Sequence, residues 1–289
     1  MIMKRWRFVF SDGFSFAFLL TCVISEFIFE LFIVLPVAEE GYIPLSVHVF
    51  LGTFVFINIL SNLAMVILKD TTTRKIILPS LLKPGWYFCY VCEANSPPRS
   101  FHCDRCKICI LKRDHHCAFA GRCIGLKNFR YFLLFLFYLS LGAMYAMLFN
   151  MYFIWNVLGG FSFFSIGAHF VPFIFWILGY LSFRVFICTL MSLLSIIGVL
   201  CVTYFFFFHL NQMLHNQTTY ERIENIRDYD LGWKNNLVES LGQRWHMVWF
   251  LPFVESPLPS DGLSFLSNKS TASDLLNYNV AGSVRHRHL

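Results

Sequence analysis

Residues 89–123 read CYVCEANSPPRSFHCDRCKICILKRDHHCAFAGRC. Seven cysteines (Cys89, Cys92, Cys103, Cys106, Cys109, Cys117, Cys123) and three histidines (His102, His115, His116) fall within these 35 residues. Dense C-x-x-C spacing in a basic segment points to metal ligation rather than disulfides. Structural zinc takes four ligands tetrahedrally. Two ions use eight of the ten residues and leave two over. A stretch this short and polar has no apolar core of its own, so bound metal must supply its folding energy.

One spare cysteine and one spare histidine are what an activated nucleophile needs. The thiolate attacks and the thiol does not, and a neighbouring imidazole promotes the thiolate. A carboxylate beside that imidazole fixes its tautomer and stabilises its charged form. Asp114-His115-His116-Cys117 offers all three groups in four consecutive residues. Spacing alone leaves open which histidine and which cysteine are spare. It also leaves open that all ten serve structure.

Outward from this segment the chain turns apolar. It has 289 residues, 57% hydrophobic and 14% charged, where soluble domains carry about a quarter charged residues. Thirty-five phenylalanines exceed what one soluble core buries. The expected fold is an all-α polytopic membrane protein, with four transmembrane helices and a zinc-stabilised, cysteine-rich domain between the second and third. Residues 1–13 form a polar N-terminus. Residues 14–68 hold the first two helices, Phe14 to Val37 and Leu45 to Leu68, joined by Glu39-Glu40-Gly41. Residues 69–130 form the cysteine-rich domain. Residues 131–208 hold the last two helices, Tyr131 to Trp155 and Val185 to Phe208, around an intervening segment, Ile166 to Phe183. Residues 209–254 are polar and include a Trp-rich amphipathic stretch, Leu237 to Phe253, suited to a membrane surface. Residues 255–289, rich in Ser, Pro, Gly and Asn, are expected to be disordered.

Charge fixes the expected orientation. Twelve Lys or Arg lie from Lys69 to Arg130, three precede the first helix (Lys4, Arg5, Arg7), and seven follow Phe208. Only Arg184 lies elsewhere. The positive-inside rule puts the N-terminus, the cysteine-rich domain and the tail in the cytosol. Only an even number of crossings between 131 and 208 allows that, so Ile166 to Phe183 is expected to re-enter the membrane or lie on its far face. The net charge of +6 comes mostly from these flanks and is no nucleic-acid signature. Asn216-Gln217-Thr218 and Asn268-Lys269-Ser270 match glycosylation acceptors, unused on the cytosolic side.

Within the apolar stretches, Cys22, Cys188 and Cys201 read as small buried hydrophobes. Glu26 and Glu30 lie one turn apart in the first helix, where a carboxylate must face the bundle or stay protonated, and Asn58 is a candidate partner for Glu26. Gly142, Ala143 and Ala146 leave room between helices, as small residues also do in ordinary helix packing.

The stretch Cys89 to Phe132 resembles the cysteine-rich domain of the DHHC protein S-acyltransferases (palmitoyltransferases). The match includes CxxC, PPRSxHC, CxxC-xx-C, DHHC and CIGxxN. Downstream, Thr218-Thr219-Tyr220-Glu221 is similar to the family's TTxE motif, and Tyr229-Asp230-Leu231-Gly232 with Asn236 is similar to its C-terminal motif. RWHMVWFLPF and SPLPSDGLSF look most like the branch of the twenty-fourth mammalian member. The resemblance implies one zinc on Cys89, Cys92, His102 and Cys109, and a second on Cys103, Cys106, His116 and Cys123. It implies Cys117 as nucleophile, His115 as its base and Asp114 as the orienting carboxylate.

The implied reaction is two-step transfer of a long-chain acyl group, palmitoyl for instance, from acyl-CoA through Cys117 to cysteines of membrane-proximal proteins on the cytosolic face. Arg99, Lys112 and Arg113 are candidate contacts to the phosphates of coenzyme A; basic residues beside a span also serve topology. Endoplasmic reticulum or Golgi is the expected membrane, from short, Phe-rich spans. Three departures stand out: Ala118-Phe119 where the family has Pro-Trp, Gly121-Arg122 where it has Asn-Asn, and Asp70-Thr71-Thr72 where it has Asp-Pro-Gly. They touch no implied ligand and no member of the triad. The alternative is a catalytically weak, zinc-folded membrane scaffold that binds partner proteins.

Overall fold

The computed structural model describes residues 10–37 and 44–269. Lys4, Arg5, Arg7, the Glu39-Glu40-Gly41 link, Ser270 and the tail from 270 to 289 lie outside the described residues. Among the described residues, four helical stretches are long and apolar enough to cross a membrane: Ser11–Val37, Leu45–Leu68, Phe129–Val157 and Phe183–Leu214. The protein is therefore a multi-pass integral membrane protein. The first stretch is α1 (Phe10–Phe29), a π-helical turn Glu30–Val34 and the short α2 (Leu35–Val37). The others are α3 (Leu45–Leu68), α4 (Phe129–Val157) and α7 (Phe183–Leu214). The last helix runs to Leu214 rather than ending at Phe208, because leaving the apolar run ends a span but not a helix. His209, Asn211 and Gln212 continue the same i→i−4 ladder.

The segment Ile166 to Phe183 forms no crossing helix. It holds α5 (Phe163–Phe170) and α6 (Pro172–Ile177), broken at Val171 by the proline that opens α6. Neither approaches the ~20 residues a crossing needs.

The chain divides into two compact units. One comprises residues up to Phe16, Ser61–Leu134 and those from Phe208 on; the other comprises Ala17–Leu60 and Phe135–Phe207. In the second, helical unit, Phe29, Val34, Phe153, Ile154 and Cys188 form a buried cluster. Many of its other large apolar side chains, Phe18, Phe50 and Leu200 among them, are exposed, as lipid-facing residues are. Inside this unit is a largely apolar cavity of about 440 Å³, bordered by Gly142, Ala143 and Ala146 as well as Glu26 and Glu30. A side-chain carbon on Gly142 would press on Val55, 3.3 Å away. Asn150 donates to Glu26 at 2.6 Å, and Asn58 donates to the Phe54 carbonyl at 3.0 Å.

Among the described residues of the first unit, six three-residue strands make three antiparallel hairpins. β1 (Tyr87–Cys89) pairs with β2 (Ala94–Ser96), β3 (Phe101–Cys103) with β4 (Ile108–Ile110), and β5 (His115–Cys117) with β6 (Arg122–Ile124). Their apolar core is small. The cluster around Ile110 is built largely from Cys103, Cys106 and Cys123 themselves. Asp70-Thr71-Thr72 docks on these hairpins: Asp70 caps Thr72 at 3.0 Å, Thr71 accepts the Leu111 N–H at 2.9 Å, and Thr72 bridges to Ile110. Gly125 is required beside it, since a side-chain carbon there would lie 2.5 Å from the Leu111 carbonyl.

After α7 come α8 (Thr219–Ile223) and α9 (Trp233–Leu241). The amphipathic stretch from Leu237 is not one helix. It stops at Leu241, where Gly242 takes φ +88° with no room for a side chain against Ser256. Residues 255–269, expected to lack order, pack instead. Ser256 donates to the Leu241 carbonyl at 2.8 Å and accepts from Arg130 at 2.8 Å, and Gly262 lies against Leu111 and Leu126. Serine hydroxyls here satisfy backbone groups that composition alone leaves to solvent.

Candidate active site and metal centres

Strand geometry explains why the ligands interleave. Successive side chains of a strand point to opposite faces, so His102 and Cys103 serve different quartets although they are neighbours. Cross-strand register pairs His102 with Cys109 and His116 with Cys123. Cys89, Cys92, His102 and Cys109 converge in one group, and Cys103, Cys106, His116 and Cys123 in another.

In the first quartet, His102 Nδ1 lies 3.8 Å from Cys89 Sγ and 3.3 Å from Cys92 Sγ, and the Cys92 and Cys109 sulfurs are 3.7 Å apart. In the second, His116 Nδ1 lies 3.6, 3.4 and 3.6 Å from the sulfurs of Cys103, Cys106 and Cys123. Tetrahedral zinc with Zn–S of about 2.3 Å separates its ligand atoms by about 3.6 to 3.8 Å. Both quartets fit a four-coordinate structural ion, which when bound cross-links the hairpins.

The hairpins also repeat. Cys89, Cys103 and Cys117 stand fourteen residues apart, each opening a turn whose fifth residue has positive φ: Glu93 at 50°, Lys107 at 56° and Gly121 at 59°. The first turn contributes Cys89 and Cys92 to one quartet, and the second contributes Cys103 and Cys106 to the other. The third has Cys117 but Ala120 in place of the second cysteine. Fourteen residues past His116 and Cys123 stand Arg130 and Phe137 rather than further ligands. Cys117 thus occupies a ligand position in a turn that has lost its site. Gly121 fits its place because Gly and Asn both tolerate positive φ.

On β5 the same alternation turns His116 to the metal while His115 and Cys117 share the other face. His115 Nδ1 is 2.7 Å from Asp114 Oδ2. Asp114 is buried and accepts two further bonds from Thr219, from its N–H at 2.8 Å and its hydroxyl at 3.1 Å. Burial alone would raise the Asp114 pKa, but the bonds from His115 and Thr219 and the nearby imidazoles hold it below the usual carboxylate range. Burial likewise opposes charge on His115, yet Asp114 and Cys117 push its pKa up to about 9. This shift favours the imidazolium form of His115 at neutral pH. Protonated His115 adds stability below its ordinary value of 6.5, and that stability is lost as pH rises through about 9.

The TTxE-like residues build the support. Thr218 caps α8 in a capping box with Glu221. Glu221 receives Arg99 in a buried bidentate pair, both bonds 2.7 Å. Asn236 donates to the Leu214 carbonyl at 2.8 Å and to Asp230 at 2.7 Å, fastening the segment after α7.

Of the candidate coenzyme A contacts, Arg99 and Lys112 have internal partners. Arg99 is 1% exposed at its side chain, and its donors serve Glu221 and the Asn216 carbonyl. Lys112 donates to Asn216 Oδ1 at 2.7 Å, and burial together with Arg99 pushes its pKa down to about 7. Burial opposes the charge on Arg113, and the adjacent Cys123 and Cys103 sulfurs more than offset it. Arg99 and Lys112 act as internal supports of the site, and Arg113 borders the second quartet. Sequence reasoning missed His209, which lies with Asp114 and His115 in a buried group. The polar break in the aromatic run before it, FFFFHLNQ, is the signal that marks it.

Comparison with known proteins agrees. The family model described as DHHC palmitoyltransferase matches residues 83–226. A Rattus norvegicus "Probable palmitoyltransferase ZDHHC24" is 33% identical over 217 residues, covering 74% of this chain and 76% of that protein. The Danio rerio protein of the same description is 38% identical over 230 residues, covering 79% and 77%. The Homo sapiens "Palmitoyltransferase ZDHHC9" is 43% identical over 67 residues, covering 23% and 18%. With two Cys3His quartets between its second and third long helices and this similarity over most of its length, the chain belongs to the DHHC palmitoyltransferase family.

Proposed function

We propose that the protein is a protein S-palmitoyltransferase in which Cys117 is the nucleophile, His115 its base and Asp114 the carboxylate that orients His115. The observation that carries this reading is the face of β5 that His115 and Cys117 share, outside both metal quartets, with Asp114 2.7 Å from His115. The Cys117 thiolate attacks the thioester carbonyl of a long-chain acyl-CoA, and a thioester to Cys117 forms as the CoA sulfur leaves and takes a proton. The thiolate of a substrate cysteine then attacks the acyl-enzyme and regenerates Cys117. The quartets Cys89, Cys92, His102, Cys109 and Cys103, Cys106, His116, Cys123 are read as structural zinc sites. With all four positions filled by protein, they supply folding energy rather than an activated water. The apolar cavity of the helical unit offers room for an acyl chain. Charge bias supports a cytosolic cysteine-rich domain acting on cytosolic cysteines. Residence in endoplasmic reticulum or Golgi is part of the proposal and is read by co-localisation with compartment markers.

The test is Cys117→Ser in the full chain. Hydroxylamine-sensitive palmitate label should vanish while zinc stays at two per chain. Loss of a zinc in this variant would move Cys117 into a quartet and sink the assignment.

A further inference from the structure

His115 has one hydrogen bond that fixes its place, Nδ1 to Asp114 Oδ2 at 2.7 Å. That bond restrains one edge of the ring, and the tilt of the rest depends on what packs against its faces. The Nε2 atom that must meet Cys117 needs a fixed ring plane. Two rings supply it. His209 stacks on His115 with centroids 5.3 Å apart and planes 25° from parallel. Phe132 meets His115 nearly edge-on at 5.1 Å and His209 at 5.0 Å.

His209 is itself held. It is buried, and its Nδ1 lies 2.7 Å from Gln212 Oε1. Gln212, fully buried, turns its amide nitrogen to Thr219 Oγ1 at 3.1 Å, so its oxygen faces His209 and His209 carries its proton on Nδ1. Thr219 donates onward to Asp114 Oδ2 at 3.1 Å. The closed circuit His209–Gln212–Thr219–Asp114–His115 ends with two donors on one carboxylate oxygen, and it returns to its start through the ring stack. The direct approach of His209 Nδ1 to Asp114 Oδ2 is 3.7 Å, too long for a hydrogen bond.

We propose that His209 is a positioning residue for the acyl transfer, whose ring face sets the plane of His115 toward Cys117. The proposal rests on the reading of Cys117 and His115 as nucleophile and base. Its function lies in the flat face and not in a charge, so another flat ring should serve and a branched aliphatic side chain should not.

The experiment compares His209→Phe with His209→Leu in the full chain, purified in lipid nanodiscs. Both are apolar and both remove the bond to Gln212, so folding costs are matched; two zincs per chain are confirmed in each. The Leu variant should lower kcat for self-acylation by about 10–100-fold, the scale of a small misplacement of a catalytic group. Its KM for palmitoyl-CoA should stay within about twofold, since ground-state binding is untouched. The Phe variant should retain kcat within about threefold of wild type. Peptide-resolved alkylation of Cys117 by iodoacetamide, which needs no acyl donor, should follow the same order. Equal rates in the Phe and Leu variants, whether both fast or both slow, would overturn the proposal. A wild-type chain that never labels at Cys117 would instead overturn the acyltransferase reading.

Discussion

In the first quartet, the outer nitrogen of His102 has, among the described residues, only Asp104 near it, 3.9 Å away on a side chain 91% exposed. In the second, the outer nitrogen of His116 is 3.0 Å from Asp12, a carboxylate 2% exposed that also pairs with Arg105. The ligand sets are alike in type and number, and their surroundings differ. A buried carboxylate on the far nitrogen of a metal-bound imidazole fixes its tautomer and makes it a better donor. The second quartet has that support and also borders Arg113, whose charge opposes that of the thiolates. It is the quartet whose histidine sits between His115 and Cys117. The first, whose outer histidine nitrogen lacks such a carboxylate, acts as a staple between hairpins. Similar metal chemistry thus does two jobs, and the rigid site lies where a nucleophile needs a fixed strand.

The largest test of this contrast is His116→Ala against His102→Ala. Each should cost one zinc, measured by metal stoichiometry. His116→Ala should also lower self-acylation by at least about 100-fold, because β5 loses its anchor beside Cys117. His102→Ala should keep the second metal; loss of both ions in that variant would erase the distinction. A subtler probe is Asp12→Ala. It removes only the outer partner and should weaken zinc at the second quartet by about 10–100-fold in chelator competition, with the first unchanged. Equal weakening of both quartets would count against the contrast. The smallest effect belongs to Asp104→Ala, which should alter either affinity by less than about twofold, as expected of an exposed pair.

Much of this was legible in the sequence. Apolar length announced the four long helices, and cysteine counting announced two sites with two residues over. Counting could not say which two. The fourteen-residue spacing of Cys89, Cys103 and Cys117, combined with strand alternation, carries that answer, but it becomes visible only once β3 and β5 are known to be strands. The pairings of Arg99 and Lys112 were hidden for a different reason. Their partners Glu221 and Asn216 lie 122 and 104 residues downstream, beyond the reach of local pattern. His209 was hidden by the aromatic run that ends the last span, since hydropathy registers a membrane boundary there and not a ring face. The order of residues 255–269 depends on serine hydroxyls meeting particular carbonyls, which composition does not encode.

The docking of Thr219 on Asp114 has a consequence for the order of synthesis. A ribosome delivers Asp114 105 residues before Thr219, and Arg99 122 residues before Glu221. Domains fold from the N-terminal side as they emerge, so the zinc hairpins can form while α7 and α8 are still being made. During that interval the Asp114 carboxylate lacks both Thr219 donors, and His115 has Phe132 beside it but not yet His209. On the proposed mechanism, the support behind Cys117 is complete only once the TTxE-like segment has been translated.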